Sequence, residues 1–294
     1  MQEGEIGELT RRGRAAAIRL AERLGLPRDE PVILSNRGNL LVHLAPAPVV
    51  ARVATLTARS RRDPIEWLVR EVAVAGYVAS RGGPAVAPAD DAGPHWQDGF
   101  AISLWEYVRA LDTAPGPADV GSALARLHRT ARGCPAEVGG LHAATDQITD
   151  GLAMLERAAA LDTAALAALR EAHAAALVEM ESADGEPLVL HGDAHHGNLL
   201  AAPGRGWLWI DLEETGRGPA AWDLATMVSH YAERDARTAL RAYTAESGTT
   251  VPALAPFRRV RDLEAAVWSL CMASLYPARY GEVAQRLLAN VLRG

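Results

Sequence analysis

Between two apolar flanks, residues 191–198 read HGDAHHGN, which places His191, Asp193, His195, His196 and Asn198 within eight positions. Three kinds of chemistry use such a cluster. Imidazoles and a carboxylate can hold zinc in a hydrolase, a carboxylate and an amide can arrange a phosphoryl transfer, and polar side chains can simply hold a loop in shape. A zinc centre needs further ligands at defined spacing. The remaining histidines, at 43, 95, 128, 142, 173 and 230, form no second cluster. The two cysteines, Cys134 and Cys271, are far apart and match no metal spacing.

The downstream segment WLWIDLEETGRGPAAWDLA, residues 207–225, decides between the three. It sets Asp211 at the end of an apolar strand, followed by Glu213 and Glu214. Two strands of a hairpin-like unit, LVL at 188–190 and WLWI at 207–210, would then deliver Asp193 with Asn198 and, from the next strand end, Asp211. The amide of Asn198 and the carboxylate of Asp211 are hard oxygen ligands, suited to magnesium carrying phosphate. Asp193 is left without a metal role and is placed to orient an incoming hydroxyl. Phosphoryl transfer needs that division of labour, because its catalysis is mostly positioning and charge neutralisation.

Those residues need elements to position them. Residues 8–25 read as an amphipathic helix ended by Gly25 and Pro27. Short β-like runs follow at 31–35, 39–45 and 48–54, separated by turn formers, as in an antiparallel meander. A helix over 63–80 starts at Asp63 as N-cap with Pro64 at its first position. FAISLWEYV at 100–108 reads as a buried strand. After APGP at 114–117 the character changes: 118–132, 143–160 and 162–182 are helical by period, and helices return from Ala220. The expected fold is α+β in two lobes, residues 1–107 with an antiparallel sheet and 108–294 mostly helical, with a cleft between them.

Composition narrows the partners. No apolar run approaches the roughly 18–20 residues of a spanning helix. The polar, acidic N-terminus MQEGEIGELTRR does not read as a secretory signal, so a cytoplasmic protein is expected. All 30 basic side chains are Arg, so any position that usually takes Lys must use Arg. Residues 1–109 carry 14 Arg against 13 acids, and residues 110–294 carry 16 against 23. An acidic half disfavours a nucleic-acid backbone and suits a cationic small molecule, unless its acids are only solvated helix faces. Glu214, Glu233 and Asp235, with Asp262 or Glu264, are the candidates for acceptor contact.

HGDAHHGN, then IDLEE and GPAAWDLA, resembles the signature of the aminoglycoside phosphotransferase and choline kinase group, relatives of the protein kinases. The resemblance covers nearly the whole chain and is sharpest in the C-terminal part. It implies a protein-kinase-like bilobal fold, ATP or GTP as donor and Mg2+ as cofactor. It makes Asp193 the catalytic base or hydroxyl-orienting residue and Asn198 and Asp211 the magnesium ligands. His195 falls where protein kinases place a lysine near the transferred phosphate. His191 becomes a structural anchor, and Asp223 a brace for the loop and a cap for the helix after it.

The same resemblance calls for a strand cation paired with a helix glutamate. Arg52 in PVVARVA and Glu71, 19 residues on, fit that requirement, with Glu66 as a rival. The fixed fork of an arginine can bridge phosphates and a carboxylate at once. SNRGN at 35–39 occupies the place of the phosphate-covering loop but holds a single glycine, so Asn36 and Asn39 are candidates to supply donors instead. SLWEYVRA at 103–110 resembles the adenine-holding linker, around Glu106 and Val108. His128 in LARLH reads as a packed structural histidine. The implied activity is phosphorylation of a hydroxyl on a small polar acceptor, such as an aminoglycoside-like antibiotic or amino sugar. Choline or homoserine are alternative acceptors, and a nucleotide-binding pseudokinase or scaffold is the alternative from another class.

Overall fold

In a computed structural model, which describes residues 3–60, 63–183 and 185–293, the chain opens with helix α1 (Glu3–Arg23). Residues 1 and 2 of the N-terminal stretch read above lie outside the described residues. Strands β1 (Val32–Asn36), β2 (Leu40–His43) and β3 (Val49–Val53) form a meander, followed by the short α2 (Thr57–Ser60) and by α3 (Pro64–Ser80). Strands β4 (His95–Gln97) and β5 (Phe100–Glu106) complete an antiparallel sheet of order β1-β2-β3-β5-β4.

Side-chain alternation along β3 assigns the two faces of the sheet. Ala51 and Val53 join Leu40, Val42, Ile102 and Leu104 beneath Ala16, Ala17, Leu20 and Ala21 of α1. The opposite face carries Val50 and Arg52, and Val50 packs with Val74 and Val78 of α3. The Asp63 carboxylate accepts from the amides of Ile65 and Glu66 (3.1 and 3.3 Å) and fixes where α3 begins. That start sets the helical phase that turns buried Glu71 toward the sheet.

The C-terminal region is helical: α4 (Pro117–Ala131), α5 (His142–Arg157), α6 (Thr163–Glu181), α7 (Ala221–Ser229), α8 (Glu233–Ser247), α9 (Ala255–Leu275) and α10 (Pro277–Val291). Of the expected helix at 143–160, the side chains of 143 and 144 lie outside the described residues. One apolar cluster runs from Val50, Val78 and Trp105 into Leu124, Leu127, Trp209 and Leu224, so the sheet and the helical region share packing. Among the described residues no helix is long and apolar enough to cross a membrane.

The pairing of the short central strands differs from expectation. β6 (Leu188–Val189) pairs with β9 (Arg217–Gly218), not with the strand at 206–209. The latter, β8 (Gly206–Trp209), forms a hairpin with β7 (Leu199–Ala202), which starts as soon as the histidine-rich loop ends. The reason is the apolar LLAA run followed by a tight turn, where Gly204 (φ 70°) and Gly206 (φ 75°) take left-handed conformations. Leu199 is in register with Trp209, so Asn198 and Asp211 flank the same open end of one hairpin.

Close approach of α4 and α8 depends on Gly121. A β-carbon there would lie 2.0 Å from the carbonyl oxygen of Ala239. Gly121→Ala should therefore destabilise the fold by about 1–3 kcal/mol, although alanine is the better helix former. Gly281→Ala in α10, where an added β-carbon meets nothing within 4 Å, should be neutral or stabilising. Denaturant midpoints of the two variants check this. An unchanged midpoint for Gly121→Ala would contradict the packing described.

Candidate active site

The histidine-rich loop hangs from one buried carboxylate. Asp223, on the first turn of α7, accepts from the amides of His191 (2.7 Å) and Gly192 (2.9 Å) and from Nε2 of His128 (2.9 Å). His128 is held in turn by the Tyr243 hydroxyl at 2.9 Å. Burial pushes the Asp223 carboxyl up, but His128 and the loop amide outweigh it and hold it below the usual carboxylate range. Trp222 donates from Nε1 to the Gly192 carbonyl at 2.9 Å. Gly192 has φ 92°, and a β-carbon there would stand 2.1 Å from the Glu214 carbonyl oxygen, so only glycine fits. Asp223 therefore braces the loop; it makes no side-chain cap for α7, whose N-cap is Ala220.

His191 fastens this loop to the strand that leads to Asp211. Its Nε2 donates to the Ile210 carbonyl (3.0 Å) and its Nδ1 accepts from the Asp193 amide (3.2 Å). Only a neutral ring can do both. Burial accordingly pushes its pKa down to about 4, against the pull of Asp223 and Asp193.

Asp193 is held from two sides. Asn198 donates from Nδ2 to its carbonyl (3.0 Å) and to its Oδ2 (3.3 Å), and Nε2 of His195 lies 3.4 Å from the same oxygen. Arg261, from the second turn of α9, donates to Oδ1 at 2.7 Å. Burial raises the Asp193 pKa, but His195 and Arg261 more than offset it, and the carboxyl sits well below the ordinary range. His195 accepts from the Gly197 amide on Nδ1 (3.0 Å), which leaves Nε2 as its donor, and its ring stacks on His230 with centroids 4.5 Å apart. His196 is exposed beside Tyr231.

A second knot lies on the sheet side. Buried Arg52 pairs with Glu71, with Asp211 and, at 2.5 Å, with Glu213. Asn39 donates to Glu213 at 2.9 Å and accepts from the Thr57 hydroxyl. Burial alone would lower the Arg52 pKa; the three carboxylates outweigh it and keep the guanidinium charged. Burial pushes the Glu71 carboxyl up, with Asp211 and Glu213 adding to the rise, and the pull of Arg52 opposes it. Asp211 has φ 64°, a left-handed conformation that Asp tolerates better than most side chains. The Ile210 amide donates to the Asn198 carbonyl at 3.0 Å, tying the two candidate metal ligands through adjacent backbone.

The structure thus brings together Arg52, Glu71 and Asp211, and separately Asp193, His195 and Asn198. Glu66 stays on the surface with Arg70 at 2.8 Å. Asn36 donates to Thr10 and Asn39 to Glu213, so these amides are directed into the protein and not into a phosphate loop. Glu106 pairs with Arg205 at 2.6 Å while its amide donates to Ala87, and Val108 packs against Val86, Ala202 and Leu208.

Beside Asp193 opens a cavity of about 270 Å³, lined among others by Glu213, Glu214, Arg261, Glu264 and Trp268. Of the acids expected at the acceptor, Glu214 and Glu264 line it. Glu233 is exposed and paired with Arg237, and Asp235 and Asp262 are exposed away from the lining. Arg261 was not legible as a site residue, because no motif surrounds it and its partners Asp193 and Glu214 are 68 and 47 residues away. Among the described residues, no group of three or more His, Cys, Asp or Glu side chains is arranged to hold a metal ion. The oxygens of Asn198 and Asp211, at one hairpin end, are a donor set that suits a hard dication.

The chain belongs to the phosphotransferase enzyme family (APH), whose model matches residues 34–259. No curated protein matches it in sequence. It is similar to amicoumacin kinase hAmiN, solved in complex with AMP-PNP, Ca2+ and Ami, with a TM-score of 0.72 and 10% identity over 99% of this chain and 96% of that one. It is also similar to choline kinase LicA from Streptococcus pneumoniae (TM-score 0.66, 14% identity, 93% and 99% coverage). A thermostable mutant of aminoglycoside phosphotransferase APH(4)-Ia matches with a TM-score of 0.64 and 17% identity over 93% and 97%. The fold is the kinase-like phosphotransferase fold, antiparallel sheet first and helices after.

The anchoring of His191 has a pH signature. Unfolded, its ring titrates near 6.5; folded, at about 4. The unfolded chain therefore binds the extra proton between those values, and stability should fall as pH drops from 6.5 toward 4. The full effect is about 3 kcal/mol at 1.36 kcal/mol per unit. Urea midpoints at pH 7 and pH 4.5 should fall less steeply for His191→Gln than for the wild type. Equal slopes would show that His191 is not held neutral.

Proposed function

We propose that this phosphotransferase moves the γ-phosphoryl group of ATP or GTP to a hydroxyl of a small polar acceptor. The observation that carries the reading is the Asp193 carboxylate, which lines the cavity from the same loop that ends at Asn198, across a hairpin end from Asp211. Residues 1–107 would form the nucleotide-binding lobe and 108–294 the lobe carrying the loop and the acceptor site. The complex of hAmiN with AMP-PNP and Ca2+ supports a nucleotide with a divalent cation.

In this reading the acceptor hydroxyl is oriented by Asp193, its oxygen bonds to the γ-phosphorus, and the bond to the β-phosphate oxygen breaks. The hydroxyl proton passes to Asp193, and the nucleoside diphosphate leaves. His195, 3.4 Å from Asp193, stands beside the group being transferred. Arg52, kept in place by Glu71, would lend its positive charge to the phosphates beside Asp211, and Glu106 and Val108 lie along the base-holding linker. Asn198 and Asp211 would hold Mg2+, which supplies charge neutralisation for the phosphates.

Asp193, Glu213, Glu214 and Glu264 in the cavity wall are bonded to only two guanidiniums, those of Arg261 and Arg52, and the acid excess that remains favours a cationic acceptor. An aminoglycoside-like antibiotic or amino sugar suits that charge, as does choline; homoserine suits the hydroxyl chemistry alone. A role in resistance or in cytoplasmic metabolism follows from which of these is used. A scaffold would have no use for an acceptor cavity opening on Asp193. Nucleotide consumption over a panel of these acceptors tests the reading, with the wild type turning over at least one. Asp193→Ala should lose about 10²–10⁴-fold in kcat with affinity for Mg–AMP-PNP nearly unchanged. A variant that keeps more than about a tenth of wild-type turnover would remove Asp193 from the reaction.

A further inference from the structure

Arg261 is unusual among the cavity residues because it is a cation locked in place by its own protein. One terminal nitrogen donates to Glu214 (3.0 Å) and Glu264 (2.7 Å), and the other donates to Oδ1 of Asp193 (2.7 Å). Its guanidinium also lies 5.2 Å from the ring centroid of Trp222, the indole that donates to the Gly192 carbonyl. The side chain is only 14% exposed. Bracing α9 would require no more than Glu264, which sits one turn further along the same helix. The contacts to Asp193 and Trp222 reach instead into the loop that carries the chemistry. Arg261 also lies just beyond residues 34–259, the part that the family model matches.

We propose that Arg261 is a positioning residue for the transfer step. It grips Oδ1 of Asp193 from the acceptor side while Asn198 and His195 grip Oδ2, so the carboxylate keeps one orientation toward an incoming hydroxyl. The role given to Asp193 rests on the phosphotransferase reading above. Oδ1 takes only the bond from Arg261 and keeps a second lone-pair site, so being gripped does not prevent Asp193 from accepting the hydroxyl proton. The fork matters as much as the charge. One planar group reaches Asp193 and the two glutamates while its central carbon lies over the Trp222 ring, and a lysine ammonium would reach them only as a point charge. Glu213 and Glu214 are adjacent yet serve opposite cations, Arg52 and Arg261. The segment carrying Asp211 is thus stretched between a nucleotide-side and an acceptor-side arginine.

Arg261→Gln and Arg261→Lys in the full chain test this with two readouts. The first needs no acceptor: labelling of Asp193 by a water-soluble carbodiimide with glycine ethyl ester, followed by mass spectrometry. Releasing Oδ1 should speed labelling of Asp193 about tenfold in Arg261→Gln, with Mg–AMP-PNP affinity unchanged. The second is kinetic, using whichever panel member the wild type phosphorylates. There kcat should fall about 10²-fold with little change in nucleotide KM, and Arg261→Lys should recover part of it. Unchanged labelling of Asp193 in Arg261→Gln overturns the proposal, as does wild-type kcat in that variant. Should Arg261→Gln not fold, Arg261→Lys carries the test: wild-type labelling and kcat there overturn the need for the fork. A wild type that phosphorylates nothing sinks the function proposed above, while the labelling still decides whether Arg261 holds Asp193.

Discussion

A guanidinium buried among three carboxylates is the constraint on which the rest of the molecule depends. Arg52 reaches Glu71 on α3, Asp211 after β8 and Glu213 two residues on. A cation in that position stabilises the native state only while all its partners are present. Removing one side of a buried ion pair typically costs about 3–5 kcal/mol, because the other side is left charged and dry. The sheet, the helix packed on it and the loop proposed to bind metal are therefore specified together. The fold around Arg52 follows from this: β3 must expose its second face to α3, and α3 must start at Asp63 so that Glu71 falls opposite.

The helical region repeats the device with the charges inverted. Asp223 is a buried anion that gathers two loop amides and an imidazole, and His128 and Tyr243 extend its support into α4 and α8. The loop bearing Asp193 is held because its backbone amides are satisfied by a side chain of α7, while the Asp193 carboxylate lines the cavity. Between the two knots runs the β7–β8 hairpin, whose open end sets Asn198 beside Asp211. Positioning of this kind suits a reaction in which the protein does little covalent work.

Much of this was legible in the sequence, and for physical reasons. The five-residue strands β1 and β3 and helix α3 declare themselves because alternation and capping are local properties. Asp193, Asn198 and Asp211 stand out because hard oxygen donors and a lone carboxylate between apolar strands have few structural uses. Pairing within the small sheets was not legible. Strands of two to four residues carry too little pattern to choose a partner, so 188–190 was matched with 207–210 although β7 and β9 are the true partners. Arg261 and the Asn39–Glu213 bond join residues 68 and 174 positions apart, and nothing local marks either end. The surface acids Glu233, Asp235 and Asp262 cannot be told from Glu214 and Glu264 by composition; only the packing of α9 separates them.

In the proposed reaction the Arg52 cluster presents Asp211 to a divalent cation carrying a nucleotide. Calorimetric titration of AMP-PNP with and without magnesium, in the wild type and in Asp211→Asn, tests it most directly. A neutral amide is a far poorer ligand for a hard dication than a carboxylate. Magnesium should tighten AMP-PNP binding to the wild type and give no such gain in Asp211→Asn. A full magnesium-dependent gain in Asp211→Asn would contradict it.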